Sequence, residues 1–237
     1  MPLYLVAVIY DGSEFTGWAK QPQQFTVQGN IEKVLSKVFK QKISILAASR
    51  TDKGVHALDQ RFAFRLNLSF SSQKLKQILT KSLKKYVVVK KVYKVKKTFH
   101  PIKNAIRKEY RYYINTEKYN HFAQKYRWEY NSPLNTKKLN NILSVFQGEH
   151  DFFNFSHCRQ RDKAKIKTVR TIEKIRCWKR RNILIISVIG KSFLRYQIRA
   201  IIGESIKCYE FENMKSNSKE LTTEQLKKNY FKVMSWG

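Results

Sequence analysis

Leu3-Tyr4-Leu5-Val6-Ala7-Val8-Ile9-Tyr10, closed by the turn sequence Asp11-Gly12-Ser13, is a β-rich run that opens the first half. Beyond the turn, Val27, Ile31, Val34, Leu35 and Val38 recur at helical spacing. Ile43–Ala48 and Arg61–Leu66 read as short strands on either side of a polar loop. Leu75, Ile78, Leu79 and Leu83 mark a second helix, and Tyr86–Val95 is a β-branched strand. The order is β-α-β-β-α-β, the ferredoxin-like pattern.

The second half repeats this more loosely. Glu109–Asn115 is an aromatic strand, and Leu139, Ile142, Leu143 and Phe146 mark a helix ending near Gly148. Val169–Trp178 and Asn182–Ile189 read as a hairpin through the basic turn Lys179-Arg180-Arg181. Phe193–Cys208 follows as a helix, then polar residues and a weak last strand at Phe231–Met234. The expectation is an α+β protein of two ferredoxin-like halves, 1–105 and 106–237, sharing one antiparallel sheet.

Within 237 residues, 48 Lys and Arg face 17 Asp and Glu, a formal net charge of +31. Such a surface attracts polyanions, and binding through phosphates would be strongly salt-dependent. AT-rich coding would also enrich Lys, Asn and Ile, so the charge permits an RNA partner without requiring one. The apolar content of 42% and aromatic content of 14% belong to a folded protein rather than a basic tail. Cys158, Cys177 and Cys208 show no CxxC spacing and no even set, which predicts reduced thiols and neither a disulfide framework nor a zinc site. Leu3–Tyr10 is too short for a signal sequence, and Ile183–Ile189 is strand-sized rather than membrane-spanning. These features predict a cytoplasmic protein with no membrane partner.

The most informative loop is Ala48-Ser49-Arg50-Thr51-Asp52-Lys53-Gly54-Val55-His56-Ala57. It sets one carboxylate between two cations and beside a glycine. Arg50, Lys53 or a more distant arginine would favour the ionised carboxylate and leave Asp52 available as a nucleophile. On spacing alone the preferred reading is a surface Asp capping a turn, with Gly54 supplying a positive φ.

Arg50-Thr51-Asp52-Lys53-Gly54-Val55-His56-Ala57, continuing to Gln60, resembles the active-site motif of the bacterial TruA-type tRNA pseudouridine synthases. Tyr10-Asp11-Gly12-Ser13, Phe15, Gly17-Trp18 and Val27-Gln28 resemble the family's opening strand, loop and helix. Phe99-His100, Ala105 and Tyr110-Arg111-Tyr112 resemble its second motif, and Gly148-Glu149-His150-Asp151-Phe152 and Thr168 to Ile172 follow in order. Phe193-Leu194, Ile198-Arg199 and Ile202-Gly203 resemble its last. The chain departs from the pattern at Ser49, Lys53 and Ile102, and the family's usual ending is not recognisable after Gly203.

The resemblance implies the pseudouridine-synthase fold and isomerisation of uridine to pseudouridine at positions 38 to 40 of the anticodon arm of tRNA. Asp52 would be catalytic, Tyr110 would lie in the uridine pocket, and Arg199 would pair with Asp52. Arg50 and His56 are candidates for binding the flipped nucleotide's phosphate or holding the helix open. The resemblance also implies a homodimer. The chemistry transfers neither electrons nor groups between molecules, so it requires no cofactor and no metal. Taken alone, Arg199 reads as an exposed helix cation, Tyr110 as strand packing and His56 as a solvated loop residue. The basic segment Arg159 to Arg170 and the turn Lys179–Arg181 would suit tRNA backbone.

Two other readings explain less. A non-catalytic RNA-binding protein accounts for the charge and aromatics but gives no reason for Asp52 in a basic loop. A metal-dependent nuclease needs clustered carboxylates, whereas Asp11, Asp52, Asp59, Asp151 and Asp162 are scattered.

Overall fold

The structure, a computed structural model, describes residues 1–117, 125–157 and 166–214. The chain divides into two compact units, Met1–Ala105 and Ile106–Gly237.

In the first unit β1 (Leu3–Tyr10) occupies the middle of a four-stranded sheet. It pairs antiparallel with β3 (Ala57–Arg65) on one side and β4 (Val88–Val95) on the other, and β2 (Leu46–Ala47) lies outside β3. The order β2-β3-β1-β4 is that of a ferredoxin-like unit. Tyr4, Val6 and Val8 point to one face, where α1 (Val27–Phe39) and α2 (Ser72–Leu83) cover them with Ile31, Leu35, Leu75 and Leu79. Leu3 and Leu5 point to the opposite face and pack with Ala63, Val95 and Phe99. Both faces of β1 are therefore covered, and its sequence runs apolar without alternation.

Each helix begins where a short polar side chain replaces a missing intrahelical partner. Thr26 Oγ1 accepts from Gly29 N–H at 3.2 Å, and Ser71 Oγ accepts from Lys74 N–H at 3.2 Å. α1 ends at Lys40, whose φ of 49° stops the helix. The expected strand Ile43–Ala48 contracts to β2. Its early N–H groups are taken by α1 instead of a neighbouring strand: Ile43 N–H by Ser36 Oγ at 3.0 Å, and Ile45 N–H by buried Glu32 Oε1 at 3.1 Å. A backbone donor bonded to a side chain cannot also extend the ladder.

In the second unit five described strands form one sheet. β5 (Lys108–Asn115) and β8 (Val169–Arg180) flank central β9 (Ile183–Gly190), both antiparallel to it. β7 (Gly148–Asp151) extends one edge, and β6 (Trp128–Glu129) pairs parallel with β5 at the other. The β8–β9 loop is Arg181-Asn182, with Arg181 at φ 55°. α3 (Thr136–Ser144) and α4 (Gln197–Met214) cover one face, with Leu139, Ile142, Ile201 and Ile202 packing on Ile172, Ile175, Leu184 and Ile186.

The α+β class stands: the described strands hydrogen-bond as a four-stranded sheet in the first unit and a five-stranded sheet in the second. The segment Phe231–Met234, expected as the last strand, lies outside the described residues. α4 starts at Gln197 and not at Phe193 because Tyr196 adopts a φ of 64°, which no right-handed helix accommodates. Among the described residues no helix is long and apolar enough to cross a membrane.

Candidate active site

The Asp52 loop joins β2 to β3 and is held from both sides. Ala48 N–H donates to Arg61 C=O at 2.8 Å, and buried Gln60 donates from Nε2 to Ser49 C=O at 2.9 Å. Val55 N–H closes a turn onto Asp52 C=O at 3.2 Å, with Gly54 at φ 77°.

The second restraint is the segment after β1. Trp18 N–H donates to Thr51 C=O at 3.0 Å, and the hydroxyls of Tyr10 and Thr51 lie 2.8 Å apart. Gly12 presses so closely on Val55 that a Cβ there would sit 2.1 Å from its carbonyl oxygen. Gly17, at φ 109°, brings its backbone against Thr51. The opening motif and the Asp52 motif are thus two halves of one local structure, which the sequence showed only as separate signatures.

His56 belongs to the same junction. Its Nδ1 lies 2.9 Å from Asp11 Oδ1 and 3.1 Å from Gly12 N. A ring nitrogen carries either a proton or a lone pair, so it donates to Asp11 in one tautomer and accepts from Gly12 in the other. Either way His56 is tied to the turn after β1 and is not a freely solvated loop residue.

Asp52 itself is half-buried. The ion pairs around the loop are His56–Asp11, Arg61–Asp59 and Lys90–Asp59, and none involves Asp52. Within the first unit its carboxylate takes no hydrogen bond from a described residue. Arg50 and Lys53 are exposed and neither reaches ion-pair distance of it. The loop fixes the backbone of Asp52 and leaves its two oxygens available as nucleophile, base or ion-pair partner.

In the second unit Tyr110 lies on β5 opposite Val188, its ring edge-on to Phe193 with centroids 5.3 Å apart. Gly190 makes room for Phe193, since a Cβ there would meet that ring at 3.0 Å. The structure therefore joins the second motif to the last: Tyr110 packs beside the turn that opens α4. Lys108 shares the Tyr110 face by strand alternation, and burial lowers its pKa below that of an ordinary lysine. Lys108 belongs to none of the sequence motifs, and no spacing or charge pattern marks it out.

Arg199 projects exposed from the first turn of α4. Its guanidinium lies 5.2 Å from the Tyr196 ring centroid, and that of Arg195 lies 5.0 Å from the same ring. Arginines at a helix N-terminus add to its positive end rather than offset it, so this corner attracts an anion. Asp52 belongs to one unit, and Tyr110 and Arg199 to the other.

Of the basic segment Arg159 to Arg170, residues 159–165 lie outside the described residues, as does Cys158. Arg170 turns inward and donates from Nη1 to the carbonyls of Lys167 and Val169 at 2.6 and 2.7 Å. Lys179 lies 3.8 Å from Glu117, while Arg180 and Arg181 are exposed at the hairpin tip. Among the described residues no three His, Cys, Asp or Glu side chains come together as a metal-ligand set.

These motifs have counterparts in known proteins. The family model described as tRNA pseudouridine synthase matches residues 6–102 and 142–235. The chain belongs to the tRNA pseudouridine synthase family. It is 34% identical over 211 residues to tRNA pseudouridine synthase A of Mesoplasma florum, covering 87% of this chain and 83% of that one. The protein of that name from Thermotoga sp. is 39% identical over 220 residues, covering 89% and 88%. The one from Ureaplasma parvum is 36% identical over 205 residues, covering 86% and 83%. Within the tRNA pseudouridine synthase family the Asp52 loop, the Tyr110 strand and the start of α4 all fall in the matched stretches or between them. Membership makes the chain an isomerase, of the family that converts uridine to pseudouridine.

Proposed function

We propose that this protein isomerises uridine to pseudouridine in the anticodon arm of tRNA, at positions 38 to 40, with Asp52 as its catalytic carboxylate. The observation that carries the assignment is the Asp52 loop itself. A half-buried carboxylate without a partner in its unit stands on a loop restrained by five hydrogen bonds and two close-packed glycines. Family membership supplies the reaction class.

In the reaction the N1–C1′ bond breaks, the uracil turns, C5 bonds to C1′, the C5 proton leaves, and N1 takes up a proton. Nothing is oxidised or reduced and no group leaves the nucleotide, so the step requires no cofactor. Ionised Asp52 attacks C1′, adds to C6 of the base, or removes a ribose proton, and each role needs the same free oxygens. Tyr110 stacks on the uracil and serves as base or hydrogen-bond partner when C5 loses its proton. Arg199 pairs with Asp52, keeping it ionised and fixing its rotamer. The target uridine leaves its stack to reach the carboxylate, at a cost of a few kcal/mol. Arg50 and His56 offset part of that cost at the neighbouring phosphate or in the opened helix.

Tritium release from tRNA labelled at C5 of uridine tests the assignment directly. The wild-type protein should release tritium in the presence of EDTA, and Asp52→Asn and Asp52→Ala should fall by at least about a thousandfold while still binding tRNA. Appreciable turnover by Asp52→Asn would remove Asp52 from the chemistry. Function as a homodimer in the cytoplasm belongs to the same proposal, and a monomer mass in light scattering at working concentration would refute the dimer.

A further inference from the structure

Asp52 is held by its backbone alone within its unit, so what fixes the neighbouring residue fixes the carboxylate. That neighbour is Thr51. Its carbonyl accepts from Trp18 N–H at 3.0 Å, and its hydroxyl lies 2.8 Å from Tyr10 Oη. Tyr10 is only 3% exposed, the last residue of the central strand, and its ring packs against Phe15 and Trp18 with centroids 6.3 and 5.9 Å away.

The strand is irregular at this point. Val8 pairs with Gln60 but Tyr10 pairs with Ala57, so β3 carries one extra residue opposite the end of β1. A bulge of this kind re-aims side chains and recurs beside active sites. Here it sits between a core tyrosine and the loop bearing the carboxylate.

We infer that Tyr10 and Thr51 form a positioning pair for Asp52: the hydroxyl contact transmits the rigidity of β1 to the carboxylate and sets its orientation. This inference rests on the catalytic assignment of Asp52. Neither residue touches the reacting atoms. Their effect is geometric, and misplacement of a catalytic group by about 1 Å can cost on the order of a hundredfold in rate.

The experiment is a set of single-turnover and steady-state measurements with labelled tRNA on Tyr10→Phe, Thr51→Val, their double variant, Thr51→Ser and Asp52→Asn. The expected result is that Tyr10→Phe and Thr51→Val each lower kcat by about tenfold or more, with KM, tRNA affinity and the thermal midpoint close to wild type. The double variant should be no slower than the slower single, because the two act as one unit. Thr51→Ser, which keeps the hydroxyl, should recover most of the rate that Thr51→Val loses. Wild-type kcat in Tyr10→Phe, with Asp52→Asn inactive, overturns the inference and leaves the assignment of Asp52 standing. So does a loss that appears only in KM, affinity or folding, or rate losses that simply multiply in the double variant. Turnover by Asp52→Asn overturns the assignment itself.

Discussion

Gly12, packed against the Asp52 loop, and Gly54, within it, meet different physical constraints, and a methyl group at each should separate them. Gly12 has backbone atoms of Val55 where its Cβ would go, at 2.1, 2.4 and 2.9 Å. Backbone cannot rotate aside as a side chain can, so Gly12→Ala must displace the Asp52 loop or the turn after β1. Overpacking of this kind costs about 1–3 kcal/mol, and here the displaced atoms bear Asp52. A Cβ at Gly54 would meet no described residue beyond its chain neighbours within 4 Å, but its φ is 77°. Gly54→Ala therefore meets only the left-handed penalty of about 1–2 kcal/mol. Urea denaturation and tritium release on both variants should show comparable stability losses, with the larger fall in turnover for Gly12→Ala. Equal turnover in the two would mean that the close approach at Gly12 does not set the loop.

Between elements, α3 is fastened to β8 through one amide. Asn140 accepts from Cys177 N–H at 2.7 Å and donates to Cys177 C=O at 2.9 Å. The Cys177 thiol is buried beneath the helix, and burial pushes its pKa up to about 12. The native fold thus favours the protonated thiol. An unfolded cysteine ionises near pH ~8.5, so this contribution to stability is complete below that pH and is lost as pH rises through the native value. Cys177→Ala should flatten the alkaline limb of the stability–pH curve. In the native protein at about pH 8, iodoacetamide should leave the Cys177 peptide unmodified in mass spectra while Cys208, half-buried on α4, reacts. Rapid native alkylation of Cys177 would contradict this packing.

For the whole molecule the governing quantity is charge. At +31 the protein should bind tRNA with a steep salt dependence. Arg180 and Arg181, at the tip of the β8–β9 hairpin, are suitable probes because they are exposed. Asparagine tolerates the left-handed φ of Arg181, so Arg180→Gln with Arg181→Asn removes two charges with little strain. If both reach phosphates, the slope of log affinity against log salt becomes shallower by about 0.7–0.9 for each phosphate that is no longer neutralised. An unchanged slope would place the tRNA backbone elsewhere on the surface.

The amino-acid sequence alone marked the elements whose burial leaves a continuous apolar run or a helical stripe. β1 was legible from Leu3 to Tyr10 because both its faces are covered, and α1 and α2 because one stripe of each meets the sheet. It also supplied the motifs that identify the family, with Asp52, Tyr110 and Arg199 among them. β7 was not legible as a strand because Gly148-Glu149-His150-Asp151 has no apolar alternation, and its pairing to β8 is made by backbone. Backbone hydrogen bonds carry no residue code. For the same reason the length of β2 was decided by where Glu32 and Ser36 placed their oxygens. Only the tertiary structure showed that the turn after β1 braces the Asp52 loop. Gly12 and Val55 are 43 positions apart, and close approach of two backbones depends on how strands pair, not on what either segment prefers alone.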